Sequence, residues 1–145
     1  MPDPSNKGTE PPELEIKSVL LLDDDMEFVE ALKALLESHN FLVTTVENGA
    51  DGLREIMSLD FDVIICDLIM PHMPGDMFYL AVKKTKPHLC NRFIFITGHS
   101  ENPRVDQFLK QVDGLVLIKP VLADELVGAI SLVLKQTNQS SARER

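Results

Sequence analysis

Three short apolar runs in this chain end on charged residues, and this pattern constrains the fold more than any other feature. Val19–Leu22 runs into three aspartates, Val63–Cys66 runs into Asp67, and Val116–Ile118 runs into a Lys-Pro pair. A short continuous apolar run is typical of a strand that is buried on both faces of a parallel sheet. Ligand sites in open sheets of this kind form at the carboxyl ends of the strands. We therefore expect these charged residues to meet in one crevice.

The segments between the runs predict helices that alternate with strands. Asp25 is suited to an N-cap, and the apolar residues after it recur at helical spacing up to about His39. Further strands are indicated at Leu42–Val46 and Phe93–Thr97, and the last helical pattern covers residues 122 to 134. Five β-α units in series predict an α/β fold with a single, doubly wound, five-stranded parallel sheet.

The length and composition indicate one folded domain with polar ends. The chain has 145 residues, of which 44% are hydrophobic, and this is enough for one core. Residues 1–15 are rich in proline and polar residues, and we predict a flexible segment there. The folded domain is predicted to cover residues 16–136, and a polar C-terminal tail is predicted for residues 137–145.

The charge and the cysteine content exclude several classes of function. A formal net charge of −9 argues against direct binding to nucleic acid, because phosphate contacts need clustered basic residues. No apolar run approaches the roughly 20 residues of a membrane span, so no membrane association is expected. Two cysteines at unrelated positions do not form a disulfide framework, and a cytoplasmic location is predicted.

The carboxylates near the strand ends have the character of a metal-assisted phosphoryl acceptor site. Asp67 ends a central strand and enters a turn, and a carboxylate in such a place is a candidate nucleophile that forms an aspartyl phosphate. Mg²⁺ is commonly held by one or two carboxylates together with waters and phosphate oxygens. Asp23 and Asp24 supply such carboxylates, and the sequence therefore predicts a Mg²⁺ site.

Two other strand ends offer groups that suit the oxygens of a phosphoryl group. Lys119 provides a positive point charge, and Thr97 provides a hydroxyl group beside the accessible backbone N–H of Gly98. Taken alone, each of these residues is an ordinary surface or strand residue. Their positions at the ends of successive strands make them candidates for phosphate binding.

These motifs resemble the receiver domain of two-component response regulators, over about residues 17 to 134. That family has an acidic pair after the first strand, a phosphoacceptor aspartate and a Met-Pro loop after the third, a Thr or Ser after the fourth, and a Lys-Pro pair after the fifth. The matching residues here are Asp23-Asp24, Asp67 with Met70-Pro71 and Gly75, Thr97, and Lys119-Pro120. The resemblance implies a flavodoxin-like (β/α)5 fold with strand order 2-1-3-4-5.

The resemblance also implies a role for each site residue. Asp67 would accept the phosphoryl group, with Thr97 and Lys119 as the catalytic partners. Asp24 and Asp67 would contact Mg²⁺ together with the backbone carbonyl of Ile69, and Asp23 would act largely through water. The peptide bond between Lys119 and its proline would be cis.

The expected partners follow from the same resemblance. A sensor histidine kinase or a histidine phosphotransfer protein would supply the phosphoryl group. A downstream protein would dock on the face formed by the fourth helix, the fifth strand and the fifth helix. The domain would not act as an enzyme on other substrates, since it would catalyse only its own phosphorylation and dephosphorylation.

The chain departs from the family pattern at three places. Pro74 stands before the loop glycine, where relatives commonly have aspartate, and this is expected to stiffen or redirect the loop. Val116 occupies the fifth-strand position at which relatives carry a switching aromatic residue. Ile69 flanks the expected phosphoryl site, as does His99, and an apolar side chain does not orient a hydrolytic water. A long-lived phosphoryl group is therefore expected.

Two other functions compete with this interpretation. A receiver-like module that binds partners without phosphorylation is compatible with Val116 and Pro74, although the complete set of site residues argues against it. A phosphatase of the haloacid dehalogenase type also uses an aspartate nucleophile with threonine and lysine. Such enzymes need a second aspartate two residues after the first, and Ile69 occupies that position here.

Overall fold

The computed structural model describes residues 16–98 and 102–143, with side chains described as far as residue 137. The predicted flexible segment 1–15 lies outside the described residues, as does His99. Five strands form one all-parallel sheet in the order β2-β1-β3-β4-β5, which confirms the predicted fold class and strand order. The strands are β1 (Ser18–Leu22), β2 (Leu42–Val46), β3 (Val63–Asp67), β4 (Phe93–Thr97) and β5 (Leu115–Ile118).

A helix follows each strand of the sheet, and a 3₁₀ helix at Pro87–Arg92 precedes β4. None of the helices in the described part of the chain is long and apolar enough to cross a membrane. The five α-helices are α1 (Met26–Ser38), α2 (Gly49–Ser58), α3 (Gly75–Thr85), α4 (Pro103–Gln111) and α5 (Ala123–Arg143).

The three central strands β1, β3 and β4 are buried on both faces of the sheet, and alternate residues of each enter different cores. In β3, Val63 and Ile65 pack with buried residues of α1 and α5. Ile64 and Cys66 pack instead with buried residues of α2, α3 and α4. All four of these side chains are fully buried. The continuous apolar runs of β1 and β3 follow from this two-sided burial. The run Val116–Ile118 was expected to be buried in the same way, but it lies in the edge strand β5, where Val116 and Ile118 are exposed.

The strand register brings the strand ends to one edge of the sheet. Leu22 at the end of β1 pairs with Cys66, the residue before Asp67. Thr97 at the end of β4 pairs with Ile118, the residue before Lys119. The acidic, hydroxyl and lysine residues that follow the strands therefore lie at the same edge, as the sequence predicted.

Local details differ from the sequence predictions in three places. The pair Asn48-Gly49 is a common turn signal and predicts a turn after β2. Asn48 is instead the N-cap of α2, and its side chain accepts a hydrogen bond from the Asp51 N–H at 2.8 Å. Helix α5 continues to Arg143, past Leu134, where the apolar periodicity ends. The 3₁₀ helix at Pro87–Arg92 was not predicted. The proposed boundary between residues 136 and 137 thus falls inside α5, and the division into domain and tail stays a prediction.

Candidate functional site

An acidic cluster lies at the carboxyl edge of the sheet. Carboxylate oxygens of Asp23, Asp24 and Asp67 all lie within 4.8 Å of one another. Asp23 and Asp67 are buried, and Asp24 is exposed. Backbone hydrogen bonds from the Asp23 N–H to the Val46 carbonyl and from the Leu68 N–H to the Ile96 carbonyl continue the sheet past the strand ends. The sheet therefore brings together the three aspartates that the sequence predicted as metal ligands.

Lys119 is the positive partner of this cluster. Its Nζ atom lies 2.9 Å from Asp23 Oδ2 and 3.3 Å from Asp67 Oδ2. The Lys119 N–H donates to the Thr97 carbonyl at 2.9 Å, and the Lys119-Pro120 peptide bond is cis, as expected. Burial by itself would lower the pKa of Lys119, but the carboxylates of Asp23 and Asp67 outweigh it and raise this pKa. The ammonium group therefore stays charged between the two buried carboxylates.

The position of Asp67 in the fold disfavours the ionised form of its carboxyl group. Burial raises the pKa of Asp67 to about 6, although the Ile69 N–H donates a hydrogen bond to its Oδ1 atom at 3.0 Å and opposes this shift. The negative charge of Asp23 raises the pKa further, and Lys119 lowers it. A second cation at the cluster would therefore favour the ionised form of Asp67.

The residues of the cluster fit a hard divalent cation. Asp23 Oδ2 is buried and accepts no well-aligned hydrogen bond from the described residues, so its only partner among them is the lysine ammonium group. The cluster holds three carboxylates, and the Lys119 ammonium group contacts two of them, those of Asp23 and Asp67, which leaves uncompensated negative charge beside oxygen donors. Mg²⁺ prefers such oxygen ligands. The donor set therefore suits Mg²⁺, with Asp23, Asp24 and Asp67 as the residues that would hold it.

The remaining predicted site residues lie at the same edge, with individual orientations. Thr97 is 8% exposed, and its hydroxyl group donates to the Gly98 carbonyl at 3.1 Å. This hydroxyl group must rotate before it can donate to a phosphoryl oxygen. Ile69 turns its N–H toward Asp67, and its side chain is 44% exposed beside the cluster. The use of the Ile69 carbonyl as a metal ligand stays a prediction.

The loop between β3 and α3 has an unusual backbone. His72 and Met73 adopt φ values of 50° and 85°, a region that side-chain-bearing residues seldom occupy. Pro74 then stands at the N-cap of α3 and supplies no side-chain oxygen to the helix. An aspartate at this position would have capped the helix. Pro74 thus removes a cap as well as restricting the backbone.

Two contacts near the site were not predicted from the sequence. Buried Asp76 at the start of α3 forms an ion pair with Arg104 of α4, with 3.4 Å between Asp76 Oδ2 and Arg104 Nε. Phe28 of α1 places its ring under the Lys119 ammonium group, with 4.4 Å between Nζ and the ring centroid. Neither distance can be read from a single sequence, because each contact joins segments that lie far apart along the chain. The sequence held one hint, which was Asp76 itself, because it places an acidic residue directly after the loop glycine on a helix face that the structure buries.

Comparisons with known proteins agree with this geometry. The family model of the response regulator receiver domain matches residues 19–131, which include every predicted site residue. The chain belongs to the response regulator receiver family. The family and the sheet order that the resemblance implied are therefore confirmed.

The relatives of this receiver domain include longer proteins as well as receiver domains solved by themselves. It is 34% identical over 119 residues to the transcriptional regulatory protein GlrR of Escherichia coli, covering 82% of this chain but 26% of the relative. A solved receiver domain protein from Clostridium thermocellum is 28% identical, with a TM-score of 0.76, and the match covers 86% of this chain and 98% of that one. A solved receiver domain of a histidine kinase from Syntrophus aciditrophicus is 25% identical, with a TM-score of 0.74, over 83% of this chain and 91% of that one.

Proposed function

We propose that this receiver domain accepts a phosphoryl group on Asp67 from a phosphohistidine, in a reaction that depends on Mg²⁺. The observation that carries the proposal is the arrangement around Lys119, whose ammonium group lies between the carboxylates of Asp23 and Asp67. This arrangement brings a candidate nucleophile, candidate metal ligands and a positive charge to one edge of the sheet. Each is a requirement of phosphoryl transfer to a carboxylate.

The chemistry assigns each residue a task. A carboxylate oxygen of Asp67 attacks phosphorus, a P–O bond forms, and the P–N bond to the donor histidine breaks as the imidazole leaves. Lys119 stabilises the negative charge on the phosphoryl oxygens, and Thr97 and the backbone N–H of Gly98 donate hydrogen bonds to them. Mg²⁺, when it is bound by the acidic cluster, supplies charge neutralisation. The domain catalyses only its own phosphorylation and, by attack of water, its own slow dephosphorylation.

The partners that we propose are a sensor histidine kinase or a histidine phosphotransfer protein upstream, and a downstream protein. The downstream protein would dock on the face formed by α4, β5 and α5, where the apolar side chains of Val116 and Ile118 in β5, and of Leu122 directly before α5, are exposed. The chain spans about a quarter of the length of GlrR. DNA binding, if it belongs to the output, is proposed for another polypeptide or domain, because this chain carries a net charge of −9.

Intact mass spectrometry after incubation with Mg²⁺ and acetyl phosphate tests the proposal. We expect one phosphoryl adduct on the wild-type protein and none on Asp67→Asn or on protein treated with a chelator. Asp25→Asn is the matched control, because Asp25 directly follows Asp23 and Asp24 but lies outside the acidic cluster. Asparagine at this position can still cap α1. Asp25→Asn should be phosphorylated like the wild type. A folded wild-type protein that neither acetyl phosphate nor a cognate kinase phosphorylates would indicate a phosphorylation-independent interaction module instead.

A further inference from the structure

The Lys119 ammonium group contacts an aromatic ring as well as two carboxylates. Its Nζ atom lies 4.4 Å from the centroid of the Phe28 ring, well inside the roughly 6 Å within which a ring face attracts a cation. The lysine side chain is 24% exposed. Because the ammonium group is largely shielded from water, the attraction is stronger than it would be at an open surface.

The acidic segment after β1 places this ring. The Asp23 carboxylate accepts a hydrogen bond from the Asp25 N–H at 2.9 Å, and the Asp25 carboxylate accepts one from the Phe28 N–H at 3.3 Å. These two bonds fix the start of α1 relative to the acidic cluster. Phe28 is partly buried against the core between the sheet and α1 and α5. The ring therefore has a defined position beside Lys119.

A ring face has a property here that a carboxylate lacks. During phosphoryl transfer, Lys119 must give up part of its contact with Asp67 in order to reach the phosphoryl oxygens. The ring attracts the ammonium group without acting as a strong hydrogen-bond acceptor, so all three N–H donors stay available for oxygen atoms. It also covers one side of the ammonium group against water.

We propose that Phe28 is a positioning residue for Lys119, and that its ring face holds the ammonium group over the acidic cluster while the phosphoryl group is transferred. This role rests on the function proposed above. A purely structural role for Phe28, as an apolar side chain that fills space beside α1, predicts that only its size and hydrophobicity matter. The two roles are separated by changing the charge distribution of the ring without changing its shape.

Fluorinated phenylalanines make that change. We would incorporate 4-fluoro-, 3,5-difluoro- and 3,4,5-trifluorophenylalanine at position 28 and measure the rate of phosphorylation by acetyl phosphate at saturating Mg²⁺. Each added fluorine withdraws charge from the ring face, so the rate should fall in steps, by roughly two- to tenfold over the series. The melting temperature should stay the same. The same series at Phe61, which is buried away from the acidic cluster, is the control and should leave the rate unchanged.

Conventional variants and an NMR measurement complete the test. Phe28→Tyr keeps a ring face and should retain the rate, whereas Phe28→Leu should lose as much as the trifluoro variant. In the unphosphorylated protein, the side-chain methylene protons of Lys119 should show an upfield ring-current shift that disappears in Phe28→Leu. A wild-type protein that is phosphorylated normally, with a flat fluorine series, would overturn the positioning role and leave the proposed function intact. A wild-type protein that is never phosphorylated would overturn both, even if the ring-current shift were present.

Discussion

The Cα atom of Gly75 lies directly against the backbone carbonyl of Asp67. A Cβ atom at this position would overlap that carbonyl oxygen, and it would lie 2.9 Å from Cys66 Sγ. The loop after β3 thus returns to the backbone at the end of β3, at the first residue of α3. Any side chain at position 75 must push α3 and the end of β3 apart.

Gly75→Ala should therefore destabilise the protein and disturb the site together. We expect a loss of about 1–3 kcal/mol in the free energy of unfolding, since the new methyl group meets backbone atoms that cannot move aside. Chemical denaturation measures this loss. Gly128→Ala in α5 is the matched control, because its Cβ atom meets nothing within 4 Å, and it should be neutral or stabilising by up to about 1 kcal/mol. Equal stabilities for the two variants would contradict the close approach.

The raised pKa of Asp67 predicts how the stability of the metal-free protein changes with pH. Burial raises the folded-state pKa to about 6 from an ordinary value of 3.8, so the native state holds this proton more tightly than the unfolded chain does. The stability contributed by this group is therefore greatest at low pH and falls as the pH rises from about 4 to about 6. The stability of Asp67→Asn should lack this pH dependence. The free energy of unfolding of the variant should therefore rise relative to that of the wild type as the pH increases from about 4 to about 6.

Mg²⁺ should reverse this trend, because carboxylates hold this cation in their ionised form. We expect Mg²⁺ to raise the melting temperature of the wild-type protein more at pH 7.5 than at pH 5, and to have a much smaller effect on Asp67→Asn. Differential scanning fluorimetry with and without a chelator measures both effects. Ca²⁺ at the same concentration is a useful comparison, since it accepts looser geometry than Mg²⁺. An identical Mg²⁺ effect on Asp67→Asn would remove Asp67 from the metal site.

The ion pair between Asp76 and Arg104 should contribute to the position of α4. The Asp76 side chain is 10% exposed, its Oδ1 atom accepts no hydrogen bond from the described residues, and Arg104 is its only ion-pair partner among them. Arg104→Met leaves a buried carboxylate unpaired, and we expect a loss of about 1–2 kcal/mol in the free energy of unfolding. This loss is smaller than for a fully buried ion pair, because the arginine side chain is half exposed. Chemical denaturation measures this loss.

A double-mutant cycle separates the pair from other effects of the substitutions. Asp76→Leu removes the buried charge and fills the same apolar surroundings, so Arg104→Met should cost far less in that background. The exposed pair between Arg54 and Asp51 is the control, and its coupling energy should be under about 1 kcal/mol. Additive effects of the substitutions at 76 and 104 would show that the pair does not restrain α4.

The fold was predictable because the determining signals are local to each segment. The apolar runs of β1 and β3 reflect burial on both faces, and the strand bounds from sequence agree with the observed ones to within one or two residues. The boundary at Asn48 was misread because one residue type serves turns and N-caps alike. Helix α5 continues past its apolar stripe, since the polar residues after Leu134 are compatible with a helix although they show no apolar periodicity.

The site was predictable only in part, for a related reason. The residues at the strand ends were found because topology brings the ends of parallel strands together whatever the side chains are. The contacts that Phe28 and Asp76 make near the site depend on how the helices pack on the sheet. Distances that depend on packing cannot be read from a single sequence. The orientation of the Thr97 hydroxyl group toward the Gly98 carbonyl likewise cannot be read from the sequence.

The side chain at position 69 should control how long the phosphoryl group survives. Ile69 lies two residues after Asp67, its side chain is 44% exposed at the site, and it has no group that can orient a water for attack on phosphorus. We therefore expect the phosphoryl group of the purified domain to persist for longer than seconds. Ile69→Asn should shorten this lifetime, because an amide can hydrogen-bond the attacking water, whereas Ile69→Val should not. Loss of label from ³²P-phosphorylated protein in the presence of Mg²⁺ measures each rate, and complete loss from the wild type within seconds would refute the assignment.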